Sequence, residues 1–209
     1  MTQASKSSWT YSAQLNFMAV VDTICPSTVY IHEAGWSIQY GGIDLDIWGY
    51  LLMEFDSLPD PLSEETSQLF DAAALHYCSK QEGLSVISQP ITGFNGFFST
   101  LSREDRLMVL ALLENLQIPL ENLPGQYQNN PALIRNMINS IYQLTIFGYY
   151  SEWYGYGAAR TLSPESRHLC TYPISWGYTG YPGPSFGYRV YKKPALTIKL
   201  LQNHSKYEN

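Results

Sequence analysis

At 209 residues the chain is long enough to bury one substantial core, and two domains would each be small. A formal net charge of -6 with no basic run argues against nucleic-acid binding, and no stretch approaches the ~20 apolar residues that a membrane-spanning helix needs. Only 14% of residues are charged, while 17 are Tyr and five are Trp, a balance that suits either a tyrosine-rich core under long loops or a surface covered by a partner.

Residues 1–8 hold one lysine, no apolar run and no Arg-Arg pair. Neither a secretory nor a twin-arginine leader is expected, and the reading is a cytoplasmic protein. Leu15, Met18, Val21 and Ile24 recur at helical spacing until Pro26, predicting a first helix over about 12–25. Residues 27–42 read as irregular. Ile43, Ile47, Tyr50 and Leu51 then predict a short amphipathic helix that ends before Pro59.

Leu62-Ser63-Glu64-Glu65 places a capping serine and first-turn acids ahead of Leu69, Phe70, Ala73, Ala74 and Tyr77, so a third helix is predicted to about Lys80. Residues 82–96 form a connector. Ser102 caps a fourth helix marked by Leu107, Leu110, Leu113 and Leu116, and Pro119 to Gln128 forms another connector. Asn130 caps a fifth helix with Pro131 at its first position, and Gly148 is placed as the glycine just past its end. Near the C-terminus, Leu196-Thr197-Ile198-Lys199-Leu200 alternates with period two, as an edge strand or an arm that joins another chain's sheet would. Asn203-His204-Ser205 matches a glycosylation sequon by chance.

From Phe147 to Tyr191 the composition changes. Thirteen aromatic residues are interleaved with seven glycines and four prolines, which forbids a long helix or a central strand. Disordered segments are poor in aromatics, so an ordered loop region is expected. The fold class is therefore mainly α in a single domain. A scaffold of about five helices over 12–148 is followed by a long, coil-rich, aromatic tail over 149–209.

No constellation makes a convincing active site. Gly-x-Gly-x-x-Gly after a strand, Gly-x-Ser-x-Gly, His-Glu-x-x-His and a P-loop are all missing. Cys25, Cys78 and Cys170 are odd in number and widely spaced, which argues for reduced thiols. His76/Cys78 and His168/Cys170 could together offer four ligands to zinc, but residues two apart on a helix do not share a face, and no metal is assigned. Glu152, Glu165, Asp44 and Asp46 lie nearest the aromatic region, and paired carboxylates can hydrolyse glycosides. Nothing in their spacing brings two of them into one cleft.

Several of these positions together carry a resemblance: Asp22 with Pro26, Phe97-x-x-x-Leu101 with Arg106 and Leu110, Gly148-Tyr149-Tyr150-Ser151, and Gly180-Tyr181-Pro182-Gly183-Pro184 followed by Gly187-Tyr188. The chain resembles the gluconate 2-dehydrogenase subunit 3 family, small subunits of membrane-associated flavin dehydrogenases. It departs from the family pattern in the longer stretch from Glu152 to Ser175 and in lacking a twin-arginine leader. The resemblance implies a non-catalytic subunit that stabilises a larger FAD-dependent catalytic subunit of the glucose–methanol–choline type, which oxidises a sugar, sugar acid or other polyol. FAD is then expected in the partner, with no catalytic or cofactor-binding residue in this chain. Tyr149, Tyr150, Trp153, Trp176, Tyr178, Tyr181, Pro182 and Tyr188 are the expected partner-binding residues, some of them serving internal packing instead. The alternative is a stand-alone carbohydrate-binding module that stacks exposed Tyr and Trp on sugar rings.

Overall fold

Thr10 opens the first helix, α1 (Tyr11–Ile24), its hydroxyl accepting the Ala13 amide at 3.2 Å. The computed structural model describes residues 9–33, 35–81 and 96–183. Within them the chain is mostly helical, with seven helices and two short strands. Ala13, Phe17, Val20 and Val21 turn one face of α1 into the core, where the Phe17 ring meets Phe55 and Phe70 edge-on at 5.5 and 6.1 Å.

Residues expected to be irregular instead form an antiparallel hairpin, β1 (Thr28–His32) with β2 (Gly35–Gln39). Its register pairs Val29 with Ile38 and Ile31 with Trp36. Cross-strand partners share a face, so those four side chains line one side of the ribbon. Its base is clasped tightly. Gly41 N–H donates to Asp44 Oδ2 at 2.8 Å and to Ser27 Oγ at 3.1 Å, Ser27 Oγ bonds Asp44, and Gly42 N–H reaches the Cys25 carbonyl at 2.8 Å. A side chain at Gly41 would collide with the Ser27 amide at 2.4 Å.

Helix α2 (Ile47–Asp56) is apolar nearly all round and buries Ile47, Tyr50, Leu51, Leu52 and Phe55, as a central helix must. α3 (Ser63–Gln81) begins at Ser63, so that serine is its first helical residue rather than its cap. The predicted first-turn acids clasp other elements. Glu64 accepts the Thr10 amide and hydroxyl at 2.9 and 2.8 Å, and Glu65 accepts the Gln126 amide at 3.0 Å. Asp71, on the buried side of α3, accepts Asn16 Nδ2 of α1 and the amides of Gly96 and Phe98 at 2.8–2.9 Å. One carboxylate thus ties three segments that are far apart in sequence.

α4 (Arg103–Glu114) starts at Ser102, which caps the Asp105 amide as predicted. Two arginines of α4 close the end of α1. Arg103 donates to the Thr23 carbonyl at 2.9 and 3.1 Å, while Arg106 donates to the Ala19 carbonyl at 3.1 Å and to Asp22 Oδ2 at 2.8 Å. Cations at a helix C-terminus answer its unpaired carbonyls and its dipole.

α5 (Pro131–Tyr150) has Asn130 as its cap and Pro131 at its first position, as expected. Its end differs from expectation. Gly148 lies inside the helix, and a Cβ there would sit 2.7 Å from the Tyr50 ring and 3.2 Å from Ile47. Glycine is needed at this position for the close approach of α5 to α2 rather than for a left-handed turn. The aromatic region continues with two short helices, α6 (Trp153–Tyr156) and α7 (Ile174–Thr179), and intervening 3₁₀ turns. Tyr188, the Gly187-Tyr188 pair, the alternating 196–200 stretch and the 203–205 sequon lie outside the described residues.

Candidate interaction surface

Asp46 is the hinge on which the aromatic region is hung. It takes the left-handed conformation with φ +58° just before α2, where a non-glycine residue is uncommon and costs on the order of 1 kcal/mol. Two partners hold it there. Trp153 Nε1–H donates to its backbone carbonyl at 2.7 Å, and Arg160 bonds its carboxylate. Arg160 also donates to the Trp153 carbonyl at 2.9 Å and stands over the Trp153 ring at 5.2 Å, a cation–π geometry. Burial pushes the Asp46 carboxyl above its ordinary pKa, and the Arg160 charge opposes that shift. Trp153 is 7% exposed and packs against Tyr50 at 5.3 Å.

A second anchor ties α5 to the base of the hairpin. Tyr149 is buried, its hydroxyl donates to the Tyr40 carbonyl at 2.8 Å, and Gln39 Nε2 donates to it at 3.5 Å. From the other side, the Tyr40 amide donates to the Tyr178 hydroxyl of α7 at 3.1 Å. Trp176 of α7 is 4% exposed, and its ring N–H donates to the Tyr150 carbonyl at 2.9 Å. Tyr172 and Tyr181 stand edge-on against the Trp176 ring at 5.6 and 4.9 Å, and the Tyr172 hydroxyl bonds the Tyr181 carbonyl.

The predicted residues therefore divide. Tyr149, Trp153 and Trp176 are buried pins that fasten the region to α2, α5 and the hairpin. Tyr150, Tyr178 and Tyr181 are each 42–47% exposed, and Pro182 is exposed beside them. Tyr172, which was not singled out as a partner-binding residue, joins this outer layer at 44% exposure. On the neighbouring turn of α5, Ile146 and Phe147 are open, and with Tyr142 and Gln143 they line a shallow apolar depression. The result is a wall with rings on both sides, the inner rings fixed by hydrogen bonds and the outer rings half in water.

The remaining candidates are engaged locally. Asp44 serves the hairpin clasp and Asp46 serves Arg160. Glu165 lies in a 3₁₀ turn, where bonds from its own amide and from Ser163 hold its carboxyl below the ordinary range. Glu152 immediately precedes α6. The exposed Cys170 thiol donates to the Tyr156 carbonyl at 3.1 Å, and His168 Nδ1 faces the Ser166 carbonyl at 3.2 Å. His76 and Cys78 stand two apart on α3. Among the described residues no three His, Cys, Asp or Glu side chains converge as a metal site, and no helix is long and apolar enough to cross a membrane.

Sequence reasoning missed the hairpin, Tyr40 and Arg160. The hairpin had a signal in the alternation of Val29 with Ile31 and Trp36 with Ile38. Arg160 had none, because its role depends on the left-handed turn at Asp46. Comparison with protein-family models, with curated proteins and with solved structures finds no match for this chain.

Proposed function

We propose that this chain is a non-catalytic small subunit that binds and stabilises a larger FAD-dependent dehydrogenase or oxidase of the glucose–methanol–choline type, acting on a sugar or other polyol. The observation that carries the reading is the outer layer of half-exposed rings, Tyr150, Tyr172, Tyr178 and Tyr181, mounted on the buried pins Tyr149 and Trp176. Aromatic side chains held rigid and left partly open are what permanent interfaces use as anchors. Three positions of the resemblance have structural roles in this chain. Asp22 and Arg106, two positions on which it rests, form an ion pair between α1 and α4, and Gly148, a third, lies where α5 meets α2.

The described tail residues act as the partner-binding wall in this reading, and the FAD belongs to the partner. Within the aromatic region a sugar-binding platform is less well served, because its two tryptophans, Trp153 and Trp176, are turned inward with their ring N–H groups already donated. Co-expression with a candidate FAD-dependent catalytic subunit of the glucose–methanol–choline type tests the proposal. One yellow species containing both polypeptides is expected on gel filtration, with polyol oxidation lost when the small chain is omitted. Separate elution of two stable proteins, or oligosaccharide binding by this chain alone, would refute it.

A further inference from the structure

The residue ahead of a helix usually serves that helix. Thr10, Ser102 and Asn130 do so for α1, α4 and α5, each with a side-chain oxygen that accepts the amide three residues on. Asp46 holds the same place ahead of α2 and is of a residue type that caps well, yet its side chain makes no capping bond. Its backbone is left-handed, its carboxylate goes to Arg160, and its carbonyl accepts the Trp153 ring N–H. The unused partner is near. A Cβ built on Gly49, the third residue of α2, would lie 3.3 Å from Asp46 Oδ1, so the carboxylate already stands beside the residue whose amide a capping aspartate takes.

We propose that Asp46 is a two-position switch. Left-handed and bonded to Trp153 and Arg160, it docks α6; extended and bonded to the Gly49 amide, it lets α6 go while α2 stays folded. The positions exclude each other, because a capping residue has an extended backbone and the observed Asp46 is left-handed. Leaving the left-handed region and making the cap each favour release by a factor on the order of five. Against release stand the Trp153 hydrogen bond, the contact of the Trp153 ring with Tyr50, and Arg160. Arg160 ties the docked position together, since it reaches the Asp46 carboxylate, the Trp153 carbonyl at 2.9 Å and the Trp153 ring. Its removal is what tips the balance. Tyr149 and Trp176 are fastened to Tyr40 and Tyr150 instead of Asp46, so the switch frees the α6 end of the aromatic region and leaves α7 in place. It is built from this chain alone and requires no partner.

Nuclear magnetic resonance of the purified full chain reads both positions, through exchange with water of the Trp153 ring N–H and of the Gly49 amide. Arg160→Gln is expected to speed Trp153 exchange about tenfold or more and to slow Gly49 exchange about fivefold, with the amides of α4 and α5 unchanged. Asp46→Asn keeps a capping side chain and loses the charge that holds Arg160. It is expected to give the same pair of changes, and it serves as the second variant should Arg160→Gln lose helix content by circular dichroism. Asp46→Gly accepts the left-handed backbone without strain and has no side-chain oxygen to cap with. Added to Arg160→Gln, it is expected to slow Trp153 exchange again. Unchanged or faster Gly49 exchange in Arg160→Gln and Asp46→Asn would overturn the switch, because loss of a merely structural ion pair brings no new protection there. Equal Trp153 exchange in Arg160→Gln with and without Asp46→Gly would overturn it as well.

Discussion

Gly148 has space for a hydrogen and nothing larger. The nearest obstacle is the Tyr50 ring, itself wedged between Phe147 and Trp153, so it cannot swing away freely. Gly148→Ala is expected to lower stability by about 1–3 kcal/mol through overpacking, despite the better helix propensity of alanine. A urea titration should show an earlier midpoint with an unchanged slope. Asp105 supplies a pH signature. The Ser102 and Tyr77 hydroxyls each donate to its carboxylate at 2.8 Å and hold its pKa below the ordinary aspartate range. Because the folded value lies below the unfolded one, this contribution is present above about pH 4 and is lost as the pH falls through the folded value. Tyr77→Phe is therefore expected to destabilise the protein at neutral pH, with the gap to wild type closing below about pH 4 in urea titrations across pH.

At the scale of elements, the helices legible in the sequence are those that announce their own ends. Ser102 and the Asn130-Pro131 pair act through hydrogen bonds three residues away, so their meaning is local. Ser102→Ala and Asn130→Ala should each cost about 1 kcal/mol, measured as separate shifts in the unfolding midpoint. Gly148 was legible as special but not for the right reason, since its constraint comes from Tyr50 nearly a hundred residues earlier. The hairpin failed to announce itself for another physical reason. Its alternation is only five residues long in each strand, and its apolar side is not matched by any core among the described residues. Asp46 shows the same limit, because its left-handed backbone is held by Trp153 and Arg160 from the far end of the sequence.

At the scale of the whole molecule, most of the apolar residues that sequence alone assigns to helix faces form one core, from Phe17 and Leu51 through Phe70 and Leu110 to Ile138, while Ile43 and Leu107 stay exposed. The aromatic surplus is what that core does not absorb. Tyr149, Trp153 and Trp176 go inward and Tyr150, Tyr172, Tyr178 and Tyr181 stay half open, a division that depends on how each ring packs against distant elements and that composition cannot reveal. On the proposed subunit reading, the outer tyrosines lose solvent access when the flavoprotein binds. Amide hydrogen exchange, compared between the chain alone and the chain bound to the flavoprotein, measures this directly. The account predicts slowed exchange across residues 147–181 in the complex, with residues 103–114 of α4 unchanged. Equal exchange in both states across 147–181 would contradict it.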